Sequence, residues 1–313
     1  MTSFRKIFYL FIICCPCISF SQEKIDKKLE RSIYDLVKNF HGVAGVYVKN
    51  LRTNKVARFQ PDSIFPTASM IKIPILIGVM NKIEKGELNY HQELIYTDSL
   101  LYAGADILGS YKNGEKTTIS RIMMLMLTMS DNTASLWLQS LAGTGTRINE
   151  FLDSMGFKNT RVNSRTPGRE LNRTQYGWGQ TTPREMAGLM EKIYRKSLIS
   201  PKADEQMLRL LGRNFWDEVA ISQIPSHVFV ASKNGAVNQS RSETLLVMAP
   251  HGPYVFSVIT KNLQDQSWSP NNEAWVLIRS LSKLLWNYYE PSSGWVSPMP
   301  VTGRADGKIV EQE

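Results

Sequence analysis

Cysteine is confined to positions 14, 15 and 17 of the 313 residues, all within one N-terminal apolar run. The rest of the chain can form no disulfide, no thiolate nucleophile and no cysteine zinc site. Histidine is nearly as scarce. His41, His91, His227 and His251 are too dispersed to give a motif such as His-Glu-x-x-His, so neither a metal nor another cofactor is expected. Apolar runs long enough to span a bilayer are also missing; the run at 7–18 is the longest and falls short of about 20 residues. The net charge of +9 comes without any basic block interleaved with aromatics, which argues against a nucleic-acid partner and for a moderately basic surface.

What the N-terminus does have is the layout of a signal peptide. Arg5 and Lys6 precede the apolar run, and Ser19-Phe20-Ser21-Gln22 supplies small residues for cleavage between Ser21 and Gln22. Residues 1–21 are therefore read as a leader and the mature protein as exported and periplasmic, with no stable membrane span once the leader is gone. Ile13 and Pro16, before Cys14 and Cys17, do not suit lipid attachment. Loss of Arg5 and Lys6, with no carboxylate beside them, takes the charge from +9 to +7.

The remaining chain, in a sequence 42% hydrophobic, is long enough for a substantial core. Apolar residues at Ile25, Leu29, Ile33, Leu36 and Val37 predict a helix over 23–40, followed by strands at 43–49 and 56–59. A helix beginning near Ser69 passes through Pro74 and should stop near Gly86. Residues 89–117 read as a folded loop, 119–129 as a helix buried on all sides, and 133–142 and 146–155 as further helices. After an irregular stretch at 158–180, Thr182-Pro183-Arg184-Glu185 is a helix start with a capping box. Ser200-Pro201 opens a helix ending at Gly212. Strands are expected at 227–232, 244–249 and 254–260, then a helix at 271–288.

This order predicts an α+β fold in which both chain ends build one antiparallel sheet with flanking helices, beside an all-helical lobe. The catalytic domain would span 22–289, with the α/β lobe at 22–65 and 213–289 and the helical lobe at 66–212. Residues 290–313, rich in Pro, Ser and Gly, read as a flexible tail. A monomer is expected.

Ser69 and Lys72 stand three residues apart at the start of an apolar helix, where a lysine can reach the serine hydroxyl and take its proton. The pattern alone is weak, since Ser3/Lys6, Ser21/Lys24 and Ser280/Lys283 share it. Two more elements follow in order: Ser130-Asp131-Asn132 at the end of a buried helix, and Lys233-Asn234-Gly235 leaving an apolar strand. A second Lys-Asn-Gly at Lys112 lies in a polar loop and precedes Ser130.

Together these motifs resemble the penicillin-recognising serine hydrolases, most of all class A β-lactamases. The resemblance runs over about 24–288 and includes Glu170-Leu171-Asn172, similar to the end of the family's Ω-loop signature, and Thr181-Thr182-Pro183 after it. It implies that Ser69 attacks a lactam or amide carbonyl, that Lys72 accepts its proton and that Ser130, held by Lys233, passes a proton to the leaving nitrogen. It further implies an oxyanion hole from the N–H groups of Ser69 and Ala236, and substrate contacts from Asn132, Asn234 and Gly235. Lys233 and Arg241 would attract the substrate carboxylate.

Three departures bear on activity. Gly168, or Thr166 if one residue is inserted, stands where class A enzymes carry the glutamate that activates the deacylating water. Glu170 is the nearest carboxylate and is taken as the candidate base. Gly179-Gln180 replaces the aspartate before Thr-Thr-Pro, and Asn234 replaces Thr or Ser. The expected function is hydrolysis of small β-lactam substrates. Alternatives are a hydrolase of cell-wall-like amides or esters on the same scaffold, with slow or absent lactam turnover, and a binding module without chemistry.

Overall fold

The computed structural model describes residues 23–302 except 103 and 105; the expected leader lies outside them. The main sheet has six strands in the order β1-β3-β2-β11-β10-β9. Its members are β1 (Lys24–Ile25), β2 (Val43–Asn50), β3 (Lys55–Phe59), β9 (Val230–Val237), β10 (Ser240–Val247) and β11 (Tyr254–Lys261). Within it only β1 pairs in parallel, with β3. Both chain ends thus form the sheet, as the element order predicts.

Two cores follow from the two faces. On one, α1 (Lys27–Val37) and α9 (Glu273–Tyr289) cover β2, β10 and β11 with Leu29, Ile33, Ile278 and Leu281. The other face meets α7 (Pro183–Tyr194) and the helical lobe. That lobe contains α2 (Lys72–Glu84), α3 (Ile119–Thr128), α4 (Asn132–Leu141), α5 (Thr144–Ser154) and α8 (Pro201–Leu211). Short pairs β4 (Phe65–Pro66) with β8 (Gly179–Thr181), β8 with β7 (Arg161–Val162), and β5 (Glu93–Ile95) with β6 (Lys116–Thr118) tie its loops down. The arrangement is mixed α+β.

Several expectations need correction. Strands β9 and β10 extend past the expected bounds at 232 and 244 into residues 233–243; Ser240, Arg241, Ser242 and Glu243 are all buried within the ladder. The stretch read as irregular holds a helix, α6 (Glu170–Tyr176). Helix α3 is not buried all round: Arg121 is exposed, while Ile122, Met123, Met126 and Leu127 are covered. Helix α2 starts three residues after Ser69, through a 3₁₀ turn at Ala68–Ile71, and Pro74 falls in its first turn, where a missing donor is harmless.

Residues 290–302 do not behave as a free tail. Trp295 packs edge-on to Trp286 at 6.4 Å, Gln223 donates to the Met299 carbonyl at 2.8 Å, and Ser297 donates to the Ser222 carbonyl at 2.6 Å.

Candidate active site

The 3₁₀ turn places Ser69. In such a turn residues three apart eclipse, and Lys72 Nζ lies 3.0 Å from Ser69 Oγ. Ala68, just before, has φ 44°, and Ser130 has φ 62°, two left-handed non-glycine residues bracketing the same group. Lys72 Nζ is also 3.0 Å from Ser130 Oγ, 2.8 Å from Asn132 Oδ1 and bonded to the Ser130 carbonyl. Four oxygens surround a nitrogen that carries at most three protons. Burial, and secondarily the charge of Lys233, holds Lys72 well below the usual lysine range, while Asp106 and Asp131 act the other way. Its amine lone pair can therefore take the Ser69 proton.

The Ser130 turn is locked by two carboxylates, of which only Asp131 belongs to the Ser130-Asp131-Asn132 motif. Asp131 caps α4, accepting from Ala134 N at 2.7 Å and Leu108 N at 2.8 Å. Asp106 accepts from Asn132 N at 3.0 Å and from both Thr133 N and Thr133 Oγ1 at 2.8 Å. No sequence signal distinguishes Asp106 from a loop residue.

Strand β9 forms the opposite wall. Its residues alternate faces, so Lys233, Gly235 and Val237 share one side with Thr244, Ser242 and Ser240 across the ladder. A Cβ on Gly235 would come within 2.8 Å of Ser69 N and 2.7 Å of the Thr67 carbonyl. Only glycine lets this edge strand approach the nucleophile turn, which brings the Ala236 and Ser69 backbone to one place. Lys233 is fully buried and lowered to about 7 by burial, with Glu243 opposing. Its ammonium donates to the Asn234 carbonyl and Oδ1, both at 3.0 Å, rather than to Ser130. Asn234 thus holds the lysine.

A cleft of about 870 Å³ opens over this assembly, lined by Ser69, Asn132 and Ala236 and rimmed by Tyr102, Tyr176, Trp178 and Trp268. The Tyr102 and Trp178 rings meet edge-on at 5.1 Å. A sequence profile described as the beta-lactamase enzyme family matches residues 28–289, most of the chain. The protein belongs to this family.

Its relatives include β-lactamase VEB-1 of Pseudomonas aeruginosa, 24% identical over 91% of this chain and 98% of that one. β-Lactamase PSE-4 of the same organism is 22% identical over 87% and 95%. Among solved structures, that of PBP-A superposes with a TM-score of 0.76 at 25% identity, covering 86% of this chain and 98% of the other. A point mutant of PBP-A, solved as an acyl-enzyme complex with penicillin G, aligns equally well. A class A β-lactamase from Mycobacterium abscessus shares the fold with a TM-score of 0.74 at 19% identity, over 83% and 98% of the two chains. The chain is a serine hydrolase of the class A β-lactamase type.

Against that family frame, Asn234 is one step out of phase with Gly235, is taken up in holding Lys233 and does not line the cleft, and two further expected site residues are displaced. Arg241 stands opposite Ala236, one step out of phase with Gly235, and so faces away from Ser69. It is fully buried, donates to the carbonyls of Val237, Ser240 and Ser267, and lies over the rings of Trp268 and Trp275 at 4.3 and 5.2 Å. It braces the β9–β10 hairpin from behind and is not presented to a substrate carboxylate.

Glu170 is the second. It is exposed in the first turn of α6, accepts from Gly168 N at 3.1 Å, and does not line the cleft. Gly168 offers no better position, because a Cβ there would meet nothing within 4 Å. Thr166 is buried against Gly145, its hydroxyl donating to the Ser164 carbonyl at 2.8 Å. The loop is pinned instead by Arg169, which donates to Asn163 Oδ1 at 2.9 Å and to Gln180 Oε1 at 2.7 Å, with Asn172 donating to the same Gln180 oxygen at 3.1 Å. Gln180, standing where an aspartate was expected, keeps the acceptor but not the charge.

Glu243, opposite Asn234, is fully buried and pushed up to about 7 by that burial. Its Oε2 accepts from Ala220 N at 2.9 Å. A carboxyl raised in the folded state contributes stability that is present below pH 4.5 and is lost as pH rises through about 7. Glu243→Gln should remove that loss, leaving the variant more stable than the parent above pH 7 by on the order of 3 kcal/mol, as urea melts across pH 4–8 would show.

Proposed function

We propose that the protein is an exported, monomeric acyl-transferring serine hydrolase that β-lactams acylate at Ser69 and from which the acyl group leaves slowly. The observation that carries this reading is the Lys72 nitrogen 3.0 Å from both Ser69 Oγ and Ser130 Oγ, beneath a cleft that no carboxylate lines among the described residues.

In the first step Ser69 Oγ bonds to the carbonyl carbon as its proton moves to Lys72 Nζ. The oxyanion meets the Ser69 and Ala236 N–H groups. The C–N bond then breaks, the nitrogen taking a proton relayed from Lys72 through Ser130. The product is an ester on Ser69, with Lys72 neutral again. Releasing it requires a water and a base. Asp106 and Asp131 are occupied by backbone donors, and Glu170 faces solvent.

That imbalance favours a cell-wall-like amide or ester as the natural substrate over rapid lactam destruction. The likeness to PBP-A, one of whose mutants holds a penicillin G acyl-enzyme, supports this. A chromogenic cephalosporin should give a burst of one equivalent of enzyme followed by slow turnover. Fast linear turnover would contradict slow release, and binding without any burst, unchanged in Ser69→Ala, would indicate a module without chemistry.

Glu170→Gln should change release by less than about twofold, against the 10²–10⁴-fold loss that follows removal of a working general base. Single-turnover decay of the acyl-enzyme measures it.

A further inference from the structure

The face of the sheet beneath the cleft can be read as successive rows. The row under Ser69 is Gly235, Ser242 and Ile259. Two residues to one side is the row of Lys233 and Thr244, and two residues to the other is the row of Val237 and Ser240; Lys261 stands two residues beyond Ile259 on the same face of β11, and it lines the cleft together with Ser240. Each row is about 7 Å from the next. One lysine therefore flanks Ser69 on each side.

The two sides correspond to the two halves of a substrate. In the proposed reaction the leaving nitrogen goes towards Ser130 and the Lys233 row. The acyl part, which stays on Ser69, must run the other way, along Val237 towards Lys261. This inference rests on that reading of the reaction.

Lys261 lines the cleft together with Ser240, and among the described residues no aspartate or glutamate does. Its ammonium donates one hydrogen bond, to the Ile64 carbonyl at 2.8 Å, and lies 4.9 Å from the centre of the Phe65 ring, an arrangement that fixes it and leaves two protons for a ligand. No carboxylate among the described residues forms an ion pair with it. Ser240 is 1% exposed and its hydroxyl has no partner. A buried hydroxyl without a partner and an unneutralised cation lining the same cleft make a site short of an anionic acceptor. Arg241, the other cation of this hairpin, is turned to the far face and cannot supply the charge.

We propose that Lys261, with Ser240 Oγ, binds a carboxylate carried on the acyl part of the substrate, making this pair the determinant that selects amides and lactams with an acidic acyl arm. Lys233 on the other flank serves the leaving half, so the preferred substrate is charged on both sides of the scissile bond.

The test compares benzylpenicillin with its α-carboxylated analogue, which differ by one carboxylate on the acyl arm. Second-order acylation constants are measured by intact mass for the parent, Lys261→Met, Lys261→Arg and Ser240→Ala. Lys261→Met should slow the carboxylated penicillin by about tenfold or more, and benzylpenicillin by less than about twofold. Lys261→Arg should restore most of the difference, and Ser240→Ala should remove about threefold of it. Benzylpenicillin acylation reports both folding and the Ser69 chemistry in each variant. Equal effects on the two penicillins, or none, would overturn the proposal. If neither penicillin acylates the parent, the reaction itself is misread. Calorimetric affinities of the two ligands for Ser69→Ala then decide the subsite alone, with equal affinities counting against it.

Discussion

Lys72→Met is expected to slow acylation of Ser69 by benzylpenicillin by about 10²–10⁴-fold, the span for loss of a general base. The fold should survive, since the unbranched methionine fills a fully buried site and removes an amine that burial already disfavours as a cation. The pH profile of acylation gives the sign. Lys72 works deprotonated and is held well below the usual lysine range, so the rate rises with pH as its proton leaves. Lys233 works charged and is lowered to about 7, so capture of an anionic substrate declines above that pH. In Lys233→Arg the upper limb should vanish and the lower one remain. Stopped-flow acylation followed as a function of pH measures both limbs.

Gly235→Ala is expected to have the next largest effect, about 10²–10³-fold on acylation, the loss that follows damage to an oxyanion hole. The added methyl would press on Ser69 N and the Thr67 carbonyl, both backbone atoms that no side-chain rotation can move. Strand and nucleophile turn must part by some tenths of an ångström, which separates the two N–H donors. Noncovalent binding should change much less than acylation, because the cleft rim of Tyr102, Trp178 and Trp268 is not touched. Comparing the affinity of Ser69→Ala with that of the Ser69→Ala/Gly235→Ala double variant separates the two effects.

The overall α+β order was legible because element boundaries carry local chemistry. Thr182 caps α7 as its sequence suggests, accepting from Glu185 N at 3.1 Å. Yet the Glu185 side chain does not return to Thr182; it gathers the backbone N–H groups of Lys158, Asn159 and Thr160. A local motif marks the helix start correctly and misassigns its glutamate, because the competing donors come from a loop 25 residues away.

The same distinction separates the site residues. Ser69 and Lys72 were legible since their meeting needs only one turn of chain. Ser130, Asn132 and Lys233 were legible as an ordered set of motifs. Arg241 was not, because its face depends on hairpin register, and a shift of one residue reverses it. Residues 233–243 fall outside the expected strands for a related reason. A cleft floor is a strand whose inward side chains are polar, so hydrophobic alternation fails there. Glu170 is the nearest carboxylate in sequence, but the short helix α6 turns it to solvent.

The central claim, acylation of Ser69 without an efficient means of release, is tested most directly by an intact-mass time course after mixing with benzylpenicillin, followed by peptide mapping. The expected result is a single adduct on the peptide containing Ser69 that forms faster than it decays and then persists over many minutes. No adduct at Ser69, or one that disappears as fast as it forms, would contradict it.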